Sequence, residues 1–134
     1  MTTLKGAVAD ADSIQQYLEN DLNVQRSRIR NLRDAQATRD AIISEFYALE
    51  SNPDIKLGDP ILIYYAGHGA GVTSPIGQEA GGADSRSEML IPHDYEANVV
   101  HGILDRTISV LLTRLAKAKG DNIVRLIPSS FAIF

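Results

Sequence analysis

A histidine set between two glycines, Gly67-His68-Gly69, follows directly on the apolar and aromatic run Ile61-Leu62-Ile63-Tyr64-Tyr65-Ala66. Flanking residues without side chains leave the imidazole open and let another backbone approach closely. An imidazole titrating near neutrality suits general-base work. A second apolar run, Ile123 to Ile127, opens onto Pro128-Ser129-Ser130. In open parallel sheets ligands bind just beyond the carboxyl ends of the strands, so both segments stand where a site is expected. A turn histidine without chemistry, and serines that merely trail a strand, are the plain alternatives.

Other chemistries fit less well. The chain has no cysteine, which removes disulfides, thiolate metal sites and thiol nucleophiles together. His68, His93 and His101, with Asp94 nearby, are spaced by 25 and 8 residues, which matches no common metal-ligand motif, so no metal and no cofactor is expected. Gly67-His68-Gly69-Ala70-Gly71 lacks the Gly-Lys-Ser/Thr ending of a phosphate-cradling loop. Five arginines lie between Arg26 and Arg39 against Asp34 alone, a local basic patch whose spacing reads as a solvated strand edge.

The elements that would carry these residues belong to one small domain, residues 1–134. The 134 residues carry 13 basic and 17 acidic side chains, net −4, with 44% hydrophobic and 22% charged residues, which is ordinary globular composition and excludes disordered and fibrous classes. Mild acidity argues against a nucleic-acid partner. The longest apolar stretch, Pro60 to Ala66, is far short of the ~20 residues of a membrane span. Met1 to Gly6 lacks a charged start followed by an apolar run, so a cytoplasmic protein is expected.

Along the chain, Asp10 is placed to cap a helix over 11–20, with Ile14, Tyr17 and Leu18 on one face. Residues 26–33 read as a marginal strand. Thr38 caps a second helix over 39–51, striped by Ile42, Phe46 and Leu49 and ended before Asn52-Pro53. Residues 61–66 are apolar without alternation, as in a parallel strand covered on both faces. The stretch 67–86, with glycines at 67, 69, 71, 77, 81 and 82, reads as a long surface loop. A short strand at 89–91 stops at Pro92. Asp105 caps a third helix, 106–119, which Gly120 ends, and 123–127 forms a second buried strand beside and parallel to the first. The alternation indicates α/β architecture with a parallel core.

Three segments together resemble a known family. Tyr64-Tyr65-Ala66-Gly67-His68-Gly69 is similar to the segment bearing the catalytic histidine of caspase and metacaspase peptidases. Leu4-Lys5-Gly6-Ala7-Val8-Ala9-Asp10-Ala11 is similar to the metacaspase stretch Leu-x-Gly-Cys-x-x-Asp-Ala, and Leu90-Ile91-Pro92-His93-Asp94 to the segment after the histidine loop. The resemblance runs from Leu4 to about Ile127 and points most closely to fungal metacaspase-like proteins.

The resemblance implies a caspase-like three-layer sandwich with a mostly parallel sheet and a cysteine-type endopeptidase cutting after arginine or lysine. In it His68 is the general base, with Gly67 and Gly69 beside the bound peptide. Asp10 matches the acidic residue that lines the pocket for the basic side chain, where a carboxylate pairs with a cation. Its reading as a helix cap stands beside this. Where the family continues Asp-Cys-Cys or Asp-Ser-Cys, this chain has Pro128-Ser129-Ser130, so Ser130 takes the place of the nucleophilic cysteine, 130 − 68 = 62 residues after the histidine. Ala7 replaces a family cysteine, and Ala66 a common serine. Only three residues precede Leu4 and four follow Ser130, so the first central strand and the small-subunit-like region of the family are expected to be missing. These departures imply an inactive chain whose partners are a peptide or protein substrate, a second copy, or a full-length relative. A non-catalytic interaction module and a hydrolase using Ser130 with His68 are the competing functions.

Overall fold

The computed structural model describes residues 6–67, 69–73, 86–96 and 99–126. His68, Ser129 and Ser130 lie outside the described residues.

Helix α1 spans Ala7–Asn20, with Gly6 as its N-cap. It starts earlier than Asp10, which therefore does not cap it. Ala7, Val8 and Ala9 carry the helix past any need for a side-chain cap, and Asp10 sits in the first turn, where a carboxylate favours the positive end of the helix dipole. The following segment is not a strand: Arg26–Arg28 and Asp34–Gln36 form short 3-10 turns. Its arginines are drawn to acids on the neighbouring helices rather than to a sheet edge. Arg26 pairs with Glu19 at 3.8 Å, Arg33 with Asp12 at 2.7 Å, and Arg30 with Glu45 at 3.0 Å. Glu45 belongs to α2, Arg39–Ser51, where the Thr38 hydroxyl accepts the Ala41 N–H at 3.2 Å. That is the cap read from the sequence.

Strand β1, Ile61–Tyr64, lies parallel to β5, Ile123–Leu126, in the register Ile61↔Ile123 through Tyr64↔Leu126. The two form a two-stranded sheet. Beside it stands an antiparallel sheet in the order β2-β3-β4, made of Gly69–Thr73, Arg86–Leu90 and Ile103–Leu104. The expected 67–86 loop is thus corrected: both its ends are strand. Glycine and alanine have little intrinsic strand preference, so Gly69-Ala70-Gly71 acquires its conformation from the ladder with Glu88, Met89 and Leu90. Helix α3, Asp105–Lys119, follows β4 at once. Asp105 is its first residue rather than its cap, and its carboxylate meets Arg125 of β5 at 3.3 Å.

Gly120 ends α3 with φ +91°, and a Cβ there would stand 3.0 Å from the Gly58 backbone nitrogen, so both conformation and close approach call for glycine. The contact joins the turn before β1 to the end of α3: Gly58 N–H donates to the Lys119 carbonyl at 2.8 Å. The Lys119 ammonium donates to the carbonyls of Asn52 and Ile55 at 2.6 and 2.8 Å. These contacts close the amino edge of the parallel pair.

The core gathers Phe46 of α2, Leu90 of β3, Ile103 of β4 and Ile108 and Leu111 of α3, with Ile63 and Tyr65 packed against them. Helices α2 and α3 therefore cover the face of the parallel pair that Ile61 and Ile63 share. The other face is more open than the sequence suggests: Leu62 is 39%, Val124 51% and Leu126 47% exposed. Helix α1 contributes no buried residue. Among the described residues, one covering layer is packed on the pair.

Among the described residues no helix is long and apolar enough to cross a membrane. The architecture is α/β with a parallel strand pair, compatible with a caspase-like sandwich.

Candidate active site at the carboxyl edge of the parallel strands

Parallel pairing brings the chain out of β1 and β5 on the same edge. The ladder closes with Tyr65 N–H donating to the Leu126 carbonyl at 3.0 Å, one residue beyond the last strand pair. His68 and Ser130, which follow the two strands in sequence, lie outside the described residues.

The Tyr64 phenol is raised above its ordinary range by burial, and the nearby Asp10 carboxylate adds to the rise by disfavouring a second negative charge. Two residues far apart in sequence, the first-turn acid of α1 and the last residue of β1, are therefore electrostatic neighbours. Asp10 is exposed, and among the described residues its carboxylate makes no ion pair. It is open to a cation.

Gly67 is held by Tyr65. The phenol hydroxyl donates to the Ile91 carbonyl at 3.1 Å, and a Cβ on Gly67 would stand 2.6 Å from that oxygen and 2.7 Å from Cζ. The backbone at Gly67 thus runs over the phenol ring, a path only glycine can follow. Gly69 opens β2 opposite Leu90. The two glycines that flank His68 in sequence thus stand past the end of β1 and at the start of β2.

The segment similar to the family's Leu-Ile-Pro-x-Asp element is pinned at three points. Ile91 accepts from Tyr65, the His93 N–H donates to the Ala37 carbonyl at 2.9 Å, and an Asp94 carboxylate oxygen accepts the Arg39 N–H at 2.8 Å. Asp94 thereby caps the first turn of α2 from a distant part of the chain, alongside Thr38. Sequence spacing does not show this role, because the two partners are 55 residues apart. The contact of Tyr65 with Ile91 is likewise not shown by the sequence, where Tyr65 belongs to an apolar strand and to the segment resembling the family's histidine element. The visible signal was an aromatic residue with a hydroxyl two places before the glycine.

His93 and His101 are both exposed, and among the described residues no three His, Asp or Glu side chains gather as a metal site.

Burial of the Tyr65 phenol raises its pKa to about 12, against the opposing effect of its bond to Ile91. A raised pKa means the folded chain keeps a proton that the unfolded chain has lost, so stability falls as pH climbs from the ordinary tyrosine value, ~10, towards 12. Urea midpoints should decline over that window in the wild type and much less in Tyr65→Phe. Equal slopes would show that Tyr65 does not carry the effect.

A family model described as metacaspase, peptidase C14 domain, matches residues 1–130. No curated protein and no solved structure matches the chain. With the matched span covering nearly the whole sequence, the chain belongs to the metacaspase family of peptidase C14 domains.

Proposed function

We propose that this chain is a caspase-like domain, residues 1–134, derived from a cysteine-type endopeptidase that cuts after arginine or lysine, and that it is itself catalytically silent. His68 is the general base, Ser130 stands at the nucleophile's position, and Gly67 and Gly69 flank the peptide. Asp10 faces the basic side chain of the substrate. The observation that carries the reading is the strand register: Tyr64 pairs with Leu126, and each lies four residues before its candidate, 68 − 64 and 130 − 126. The exposed, unpaired carboxylate of Asp10 beside Tyr64 supports the cation pocket. A serine hydroxyl is a weak nucleophile unless an oriented base activates it, and no residue matched to the family's motifs supplies that orientation. The domain acts in the cytoplasm, without cofactor, on peptide or protein partners.

Because the sequence has no cysteine, Ser130→Cys introduces a lone thiol whose ionisation can be followed by thiolate absorbance. Its pKa should fall clearly below the free value of ~8.5, and His68→Ala should restore it. An unshifted thiol would remove Ser130 from the site.

A second reading, a non-catalytic module that pairs with another copy or with a full-length relative, draws on the exposed Leu62, Val124 and Leu126 on one face of the two-stranded sheet. Concentration-dependent sedimentation that is abolished by Val124→Lys would favour it.

A further inference from the structure

We infer that β5 is an interface strand: its outer edge pairs antiparallel with the same strand of a second copy, about a two-fold axis at Ile123, and joins the two parallel pairs into one four-stranded sheet. The inference rests on the reading of the chain as a module that pairs with another copy, and deepens it.

The register of the parallel pair determines which backbone groups are already engaged. Ile61 and Tyr65 donate to the carbonyls of Asn122 and Leu126 at 3.0 Å each, so residues 122, 124 and 126 face β1. The N–H and C=O groups of Ile123 and Arg125 therefore point to the opposite edge, where among the described residues nothing is bonded to them. Such an edge is a template for another strand. Charge selects the strand. Asp121 and Arg125 lie two residues to either side of Ile123, and with it they line a recess of about 250 Å³ whose other wall is Leu112, Thr113 and Ala116 of α3. When two copies meet antiparallel at Ile123, Asp121 stands opposite the partner's Arg125 on both sides of the axis, and both pairs attract. Asp121 is exposed and makes no ion pair among the described residues. Arg125 donates one of its five guanidinium N–H groups to Asp105 at 3.3 Å, which leaves others for a second carboxylate. On the open face the same register makes the exposed Val124 a diagonal neighbour of the partner's Val124, so that apolar surface gains cover. Residues 60–64, by contrast, carry no charge, so the outer edge of β1 has no such self-complementary pattern. A four-residue edge places the contact among small, reversible interfaces.

Sedimentation of the wild type over rising concentration gives the association constant. Asp121→Lys sets like charges at both ends of the pairing, as does Arg125→Glu, and each alone should weaken self-association about tenfold. Mixing the two variants re-creates both attractive pairs, so the mixed dimer should form as tightly as the wild type. A mixture no tighter than either variant overturns the inference. Because Arg125→Glu also removes the bond to Asp105, hydrogen exchange on the wild type supplies a second measurement. The amides of Ile123 and Arg125 should gain protection as concentration rises, while those of Leu62 and Tyr64 do not. Protection at Leu62 and Tyr64 instead, or at neither edge, also overturns it. In those cases a wild type that still associates keeps the reading of a self-pairing module. A wild type that stays monomeric up to about 1 mM removes both.

Discussion

Reporter peptides ending in arginine or lysine are expected to survive incubation with this chain at the rate seen in buffer alone. The family's chemistry begins with a thiolate attacking a peptide carbonyl, and the sequence contains no sulfur nucleophile. Ser130 could substitute only if His68 removed its proton while a third group held the imidazole in the right tautomer. Loss of the nucleophile from a cooperating catalytic unit lowers turnover by on the order of 10⁶-fold. Residual cleavage should therefore be undetectable, and Ser130→Ala and His68→Ala should both be indistinguishable from the wild type. The opposite result would be specific: cleavage by the unmodified chain that stops in both variants would replace the silent-domain reading with a serine hydrolase. Labelling of Ser130 by a fluorophosphonate would identify the nucleophile directly.

The second large effect is on stability. Ile108→Ala should destabilise the fold by about 2–5 kcal/mol, the range for removing a large aliphatic side chain from a packed core. Ile108 is 2% exposed and sits among residues from α2, β3 and β4, so the loss falls at the point where both sheets and two helices meet. Against a total of about 5–15 kcal/mol for an ordinary domain, that is a large share of the stability. Val110, two residues along the same helix, is 60% exposed, and Val110→Ala should change stability by no more than about 0.5 kcal/mol. Urea unfolding of the two variants makes the comparison. Equal effects would mean that the face of α3 carrying Ile108, Leu111 and Leu115 is not the buried one.

Salt bridges tie the first connector to the helices on either side of it. Each of Arg26, Arg30 and Arg33 has an acidic partner on α1 or α2, so the local surplus of arginine is matched by carboxylates brought from elsewhere in the chain. Exposed pairs of this kind contribute little individually. Together they set the path of the connector. At the far side Arg114 of α3 is bonded to Glu50 of α2 and lies 5.2 Å from the centre of the Tyr47 ring, a second link between the two helices that cover the sheet.

Where information was local, the sequence by itself determined the outcome. Helix α2 and its Thr38 cap, the end of α3 at Gly120, and the two parallel strands all follow from side-chain periodicity, a hydroxyl at the right offset, or a residue free to take positive φ. The family motifs were legible for the same reason, being short and contiguous. Tertiary structure decided everything that depended on a distant partner. The glycine-rich run after His68 became β2 because Arg86–Leu90 supplied a ladder that its own composition does not favour. The arginine segment became a turn because Glu19, Asp12 and Glu45 were within reach. Asp105 left its capping position for Arg125, and Asp94 took up capping at α2, 55 residues away. The covering of the parallel pair on one face only, among the described residues, was equally out of view, since an apolar strand records that burial is favourable but not which layer provides it. Tyr65 shows the division most clearly: its side chain announced a strand interior, while its bond to the Ile91 carbonyl, 26 residues away, exists only in the folded chain.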